Sequence, residues 1–166
     1  MKWGLLQLLT VFVIVIIMWM SNYISQNRAI PNAAGEWTAV NSPYTVFLVI
    51  TLILGCFFLL FVFEARKENS FFTHPLWHKG PVLIGIIGFV SIVLFLAGGT
   101  FGPLMLWTAQ IPALIYSFFI YFLFVIFIFI FAIQHKRNSF QQPFEKTIYI
   151  SSLWTLGLFF GVFFLL

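Results

Sequence analysis

From Pro103 to Ile133 the chain runs for 31 residues without a charged side chain, and few folds can accommodate that. A helix rises about 1.5 Å per residue, so about 20 apolar residues cross the roughly 30 Å of hydrocarbon in a bilayer. The stretch is too long for one straight crossing and too short for two. Proline is accepted in the first turn of a helix and breaks an interior one. Pro112 therefore marks the start of a crossing, which leaves Phe101 to Gln110 as an outer segment, either a loop or partly re-entrant.

Four other apolar runs flank this one. The sequence predicts spans at about 5–24, 44–63, 81–100, 112–133 and 148–166, forming a single transmembrane domain over 1–166. Composition agrees, with 62% hydrophobic and 7% charged residues and a mean hydropathy of +1.07, values of the membrane class. The first run follows Lys2 and resembles a secretory signal, but its apolar core is long and no small-residue site follows closely; it is expected to be a retained span. Barrel strands would be about 10 residues long and alternating, so runs of this length specify helices. The expected fold class is an all-α integral membrane protein of five transmembrane helices.

Charge sets the orientation. Lys2, Arg66, Lys67, Lys79, Lys136, Arg137 and Lys146 fall on one side of the predicted spans, and only Arg28 on the other. By the positive-inside rule the N-terminus is cytoplasmic and the C-terminus outside, and the expected location is the bacterial cytoplasmic (inner) membrane. The net charge of +4 is thus a matter of orientation, and no nucleic-acid partner is expected. Trp3, Trp19, Tyr23, Trp37, Tyr44, Trp77, Trp107 and Tyr149 lie near span ends, where amphipathic rings settle among headgroups.

An offset of 69 residues aligns Pro43 with Pro112, Phe58 with Phe127, Lys67 with Lys136, and the triplet Asn69, Ser70, Phe71 with Asn138, Ser139, Phe140; one slip later Pro75 meets Pro143. An internal repeat of this kind predicts a lone first span followed by two hairpins, spans two to five, related by a pseudo-twofold axis along the membrane normal. The triplet also reads locally, as an Asn or Ser cap on a short interfacial helix with Phe71 and Phe140 dipping into the acyl boundary.

Residues able to carry chemistry are sparse. His74 and His78 are four apart and His135 ends span four, a trio that zinc or haem takes when it converges. Pro75 between the first two instead favours His74 as a cap, and all three lie at span ends, where polar residues are ordinary. Glu64 and Glu68 neighbour Arg66 and Lys67 and read as interfacial ion pairs. Arg28, Glu36 and Trp37 form the charged cluster of the outer loop, open either to a ligand or to solvent. The hydroxyls of the spans, Thr10, Thr51, Ser91, Ser117, Ser151 and Thr155 among them, are expected to bond to their own helix's carbonyls or to a neighbouring helix. Gly85 with Gly88, and Gly157 with Gly161, are expected to admit close helix contacts. The lone Cys56 forms no intramolecular disulfide. The 24 phenylalanines line either an aromatic ligand cavity or, more simply, packing and lipid surfaces in a chain drawn from an AT-rich genome.

Three functions remain open. The first is a non-enzymatic accessory, assembly or stabilising subunit of a larger membrane complex. The second is a transporter, channel or lipid-binding protein for a neutral or hydrophobic cargo, since the spans carry no fixed charge. The third is a membrane enzyme or metal site built on His74, His78 and His135. No cofactor is predicted beyond bound lipid, and the expected partners are membrane lipids and either another membrane protein or a second copy of this chain.

Overall fold

The computed structural model describes residues 2–27, 43–67, 70–111, 113–137 and 143–165. Every element among them is helical: α1 (Lys2–Asn27), α2 (Pro43–Ala65), two 3₁₀ turns (Phe71–Thr73 and Pro75–His78), α3 (Gly80–Thr100), α4 (Leu104–Gln110), α5 (Ala113–Arg137) and α6 (Phe144–Leu165). Helices α1, α2, α3 and α5 are long and apolar enough to cross a membrane, as expected of a helical membrane protein. Helix α6 carries Glu145 and Lys146 in its first turn, followed by Thr147, Ser151, Ser152 and Thr155.

Two helices, α2 and α5, sit at the centre. Ile50, Ile53, Leu54, Phe57 and Phe61 of α2 are buried, and their spacing of three and four residues is one stripe of a helix. Against them lie Leu123, Phe127 and Phe131 of α5, four residues apart, and Ile148 of α6. The rings interlock: Phe61 meets Phe127 and Phe131 edge-to-face, each at 5.0 Å between centroids, and Phe57 meets Phe124 at 5.1 Å. Each such pair contributes about 0.5–1.5 kcal/mol beyond its area. Between helices in lipid, where tails are as apolar as the side chains, packing of this kind is what drives association.

Helix α6 joins α2 and α5 through Thr147, Ser151 and Thr155, all buried and four residues apart. Their polarity is contained, because Ser151 donates to the Thr147 carbonyl and Thr155 to the Ser151 carbonyl, both at 2.7 Å. Small side chains with their hydroxyls turned back onto the helix allow close backbone approach. Helix α1 packs on α2 and α5, and α3 lies along α5.

Consecutive helices are not always neighbours. Helices α5 and α6 pack side by side, and so do α2 and α6, and α3 and α5, but α2 and α3 do not pack closely. Exchanging α2 with α5 and α3 with α6 therefore maps one close pair onto another, while the α5–α6 pair lacks an equally close α2–α3 counterpart. The expected pair of equivalent hairpins is not the packing found. The reason is the connection, whose 3₁₀ turns pass under the end of α5 and set α3 on its far side. Trp77, buried in the second turn, packs edge-on against Phe131 at 5.3 Å, and a Cβ on Gly80 would lie 3.2 Å from the Trp77 ring and 3.5 Å from Ala132.

The long uncharged stretch is divided by α4. The chain reverses at Gly102, where a Cβ would stand 2.8 Å from the Gly98 carbonyl oxygen, so a residue without a side chain is required. Ile111 leaves the helical region (φ −127°, ψ 84°), the region disfavoured before a proline, and α5 starts at Ala113. The expected outer loop is thus largely a seven-residue helix lying against α3 and α5. Pro112 itself lies outside the described residues.

Candidate functional site

The charged end of the bundle is built around Glu64. Its carboxylate accepts hydrogen bonds from Gln7 Nε2 of α1 at 2.9 Å, from Lys67 Nζ at 2.5 Å and from the Phe71 backbone N–H at 3.0 Å. Gln7 also donates to the Leu60 carbonyl at 3.3 Å. One side chain so ties α1, α2 and the first 3₁₀ turn together. Arg66 turns elsewhere, pairing with Glu145 in the first turn of α6 at 2.8 Å and lying over the Trp3 ring at 5.4 Å. The Glu64–Lys67 pair is the interfacial ion pair read from the sequence, while Arg66 reaches across the bundle to a partner distant in the chain. Glu68 lies outside the described residues.

The histidines differ in their surroundings, and His78 and His135 lie near enough to each other to interact electrostatically. His74 caps the second 3₁₀ turn, its Nδ1 accepting from the Leu76 N–H at 3.3 Å. Ser70 caps the first in the same manner, accepting from the Phe72 N–H. His78 ends the second turn, exposed. His135 is buried inside an aromatic cage, stacked on Phe131 at 5.6 Å, edge-on to Trp77 at 5.9 Å and beside Phe144 at 5.5 Å. Among the described residues no group of three or more His, Cys, Asp or Glu side chains converges to hold a metal ion.

The glycines divide. A Cβ on Gly88 would stand 3.1 Å from Val125 and one on Gly85 3.4 Å from Phe129, so both face α5. Gly157 has open space around it, and Gly161 is half-buried. Arg28, Glu36 and Trp37 lie outside the described residues. Thr10, Thr51, Thr100, Thr108 and Ser117 bond to carbonyls of their own helices, and the Ser91 and Tyr121 hydroxyls bond across α3 and α5 at 2.6 Å.

Two recesses are formed by the helices. One, of about 310 Å³, lies between α1, α2 and α5; Ile17, Met18 and Ser21 line it from α1, Val46, Val49 and Ile53 from α2, and Ile115, Tyr116, Phe119 and Ile120 from α5. The other, of about 460 Å³, lies between α3, α4 and α5 around Phe95, Leu104 and the Ser91–Tyr121 bridge. Sequence reasoning found neither, because each arises from differences in side-chain bulk between helices whose apolar faces look alike. No family model, curated protein or solved structure matches the chain.

Proposed function

We propose that this chain is a non-enzymatic, multi-pass membrane subunit that packs against a larger membrane complex as an accessory, assembly or stabilising component. The observation that carries the reading is α3: of its 21 residues only Gly80 and Gly88 are buried, and the face turned away from α5, with Ile86, Ile87, Phe89, Val90, Val93 and Leu94 exposed, is open to another helix. In this reading the chain crosses the bacterial cytoplasmic membrane five times, with α6 as the fifth crossing and the N-terminus inside. The seven-to-one distribution of Lys and Arg supports that orientation. The test is to recover the tagged protein in mild detergent after cross-linking. A stable heteromeric assembly, lost on Ile87→Glu or Val90→Glu in the exposed face of α3, is expected; recovery solely as a monomer or homo-oligomer overturns the reading.

A second reading, a binding protein for a neutral or hydrophobic ligand, is favoured by the recess between α1, α2 and α5. It is not served by the space between α2 and α5, where Phe57, Phe61, Phe127 and Phe131 close the centre and leave a transport path there without support.

A further inference from the structure

The recess between α1, α2 and α5 carries two hydroxyl residues, Ser21 and Tyr116, in an otherwise apolar lining. Ser21 lies six residues before the end of α1, and Tyr116 and Val46 three residues into α5 and α2. Ile17, Ile53 and Ile120 lie deeper. At about 1.5 Å per residue the recess runs from roughly 5 Å to 15 Å below the helix ends, which is the depth of one leaflet of a bilayer about 30 Å thick in hydrocarbon. An apolar hollow at that depth does not hold water, which needs several polar partners. Its 310 Å³ falls at the small end of ligand sites. Ser21 and Tyr116 contribute the hydroxyls of its lining, and among the described residues no Asp, Glu, Lys, Arg or His lines it.

Resting on the second reading above, we infer that this recess binds a single-chain amphiphile with an uncharged hydroxyl or carbonyl head. The chain lies along Val49, Ile53 and Ile120, and the head meets Ser21 and Tyr116. A fixed charge would find no counter-ion among the described residues of this lining and would carry a desolvation cost, whereas a neutral head exchanges hydrogen bonds with the two hydroxyls.

The experiment uses full-length protein in lipid nanodiscs and three photoreactive probes of equal chain length: an alkane, a primary alcohol and a carboxylate. The alcohol is expected to label peptides within 17–21, 46–53 or 115–120 and to compete about tenfold better than the alkane, the factor of one good hydrogen bond. Val49→Trp, which fills the recess, is expected to abolish that labelling, while Leu94→Trp in the other recess leaves it intact. Tyr116→Phe keeps the volume and is expected to remove the preference for the alcohol while alkane labelling persists. Equal labelling by alkane and alcohol overturns the assignment of a polar head and leaves the binding reading standing. Preferential labelling by the carboxylate also overturns it. Labelling spread evenly over α1, α3 and α6, unchanged by Val49→Trp, overturns both.

Discussion

Glu64 and Trp77 hold the charged end of the bundle by different means. Glu64 acts as an acceptor only, and its three donors come from α1, from Lys67 just beyond the end of α2 and from the backbone of the connecting turn. Glu64→Gln keeps the shape and replaces a carboxylate oxygen by an amide donor, which then faces another donor. Charge-assisted bonds are about twice as strong as neutral ones, so the variant is expected to lose about 1–3 kcal/mol, measured by denaturant titration in detergent. Trp77 is buried, donates its indole N–H to the Phe71 carbonyl at 3.0 Å and covers Phe131 and His135. Trp77→Ala is expected to cost about 3–5 kcal/mol and to open the connection between α2 and α3 to limited proteolysis. Cleavage no faster than in the wild type would deny Trp77 its anchoring role. Trp77 lies three residues before α3, with its ring buried. Its inward orientation was beyond the sequence, because an interfacial tryptophan facing lipid and one facing the core have the same neighbours in the chain.

At the scale of elements, the long helices were legible from run length alone, since a membrane helix must satisfy its backbone internally over the whole hydrocarbon depth. Their neighbours were not. A soluble helix betrays its buried face by polar residues on the other, but here Phe, Ile and Leu serve lipid and core alike. Phe127 is wholly buried and Phe89 is exposed, within equally apolar surroundings in sequence. The stripe Thr147, Ser151, Thr155 is the exception, a readable helical repeat that turns out to face inward. Short α4 was hidden for the opposite reason, having neither charges nor a side-chain cap to announce it. Glycines make the difference between faces testable. Gly88→Leu is expected to push α3 from α5 and lower stability by about 1–3 kcal/mol, the usual effect of overpacking. Gly157→Ala meets nothing within 4 Å and should gain about 0.5–1 kcal/mol from helix propensity. If the exposed glycine is where a partner helix docks, Gly157→Leu will lower recovery of the complex while leaving the isolated chain's melting unchanged.

For the molecule as a whole, the number of crossings follows from where the turns lie. The two 3₁₀ turns and α4 occupy opposite ends of α3, because 21 residues of helix at about 1.5 Å each separate them by about 30 Å, a full hydrocarbon thickness. Thr73 and Met105 are both exposed at those ends. In a Cys56→Ser background, which removes the one native thiol, a membrane-impermeant maleimide applied to intact cells is expected to modify Met105→Cys at once. Thr73→Cys should react only after permeabilisation. A tag at the C-terminus should be reached from outside if α6 completes a fifth crossing, and from inside if α6 lies along the interface, as its opening Glu145 and Lys146 would permit. The proposed reading, in which α6 is the fifth crossing, expects the first outcome. The buried Thr147, Ser151, Thr155 stripe leaves Leu153, Trp154 and Leu158 exposed, and an apolar outer face of this kind supports that proposal, because it is stable where lipid surrounds it.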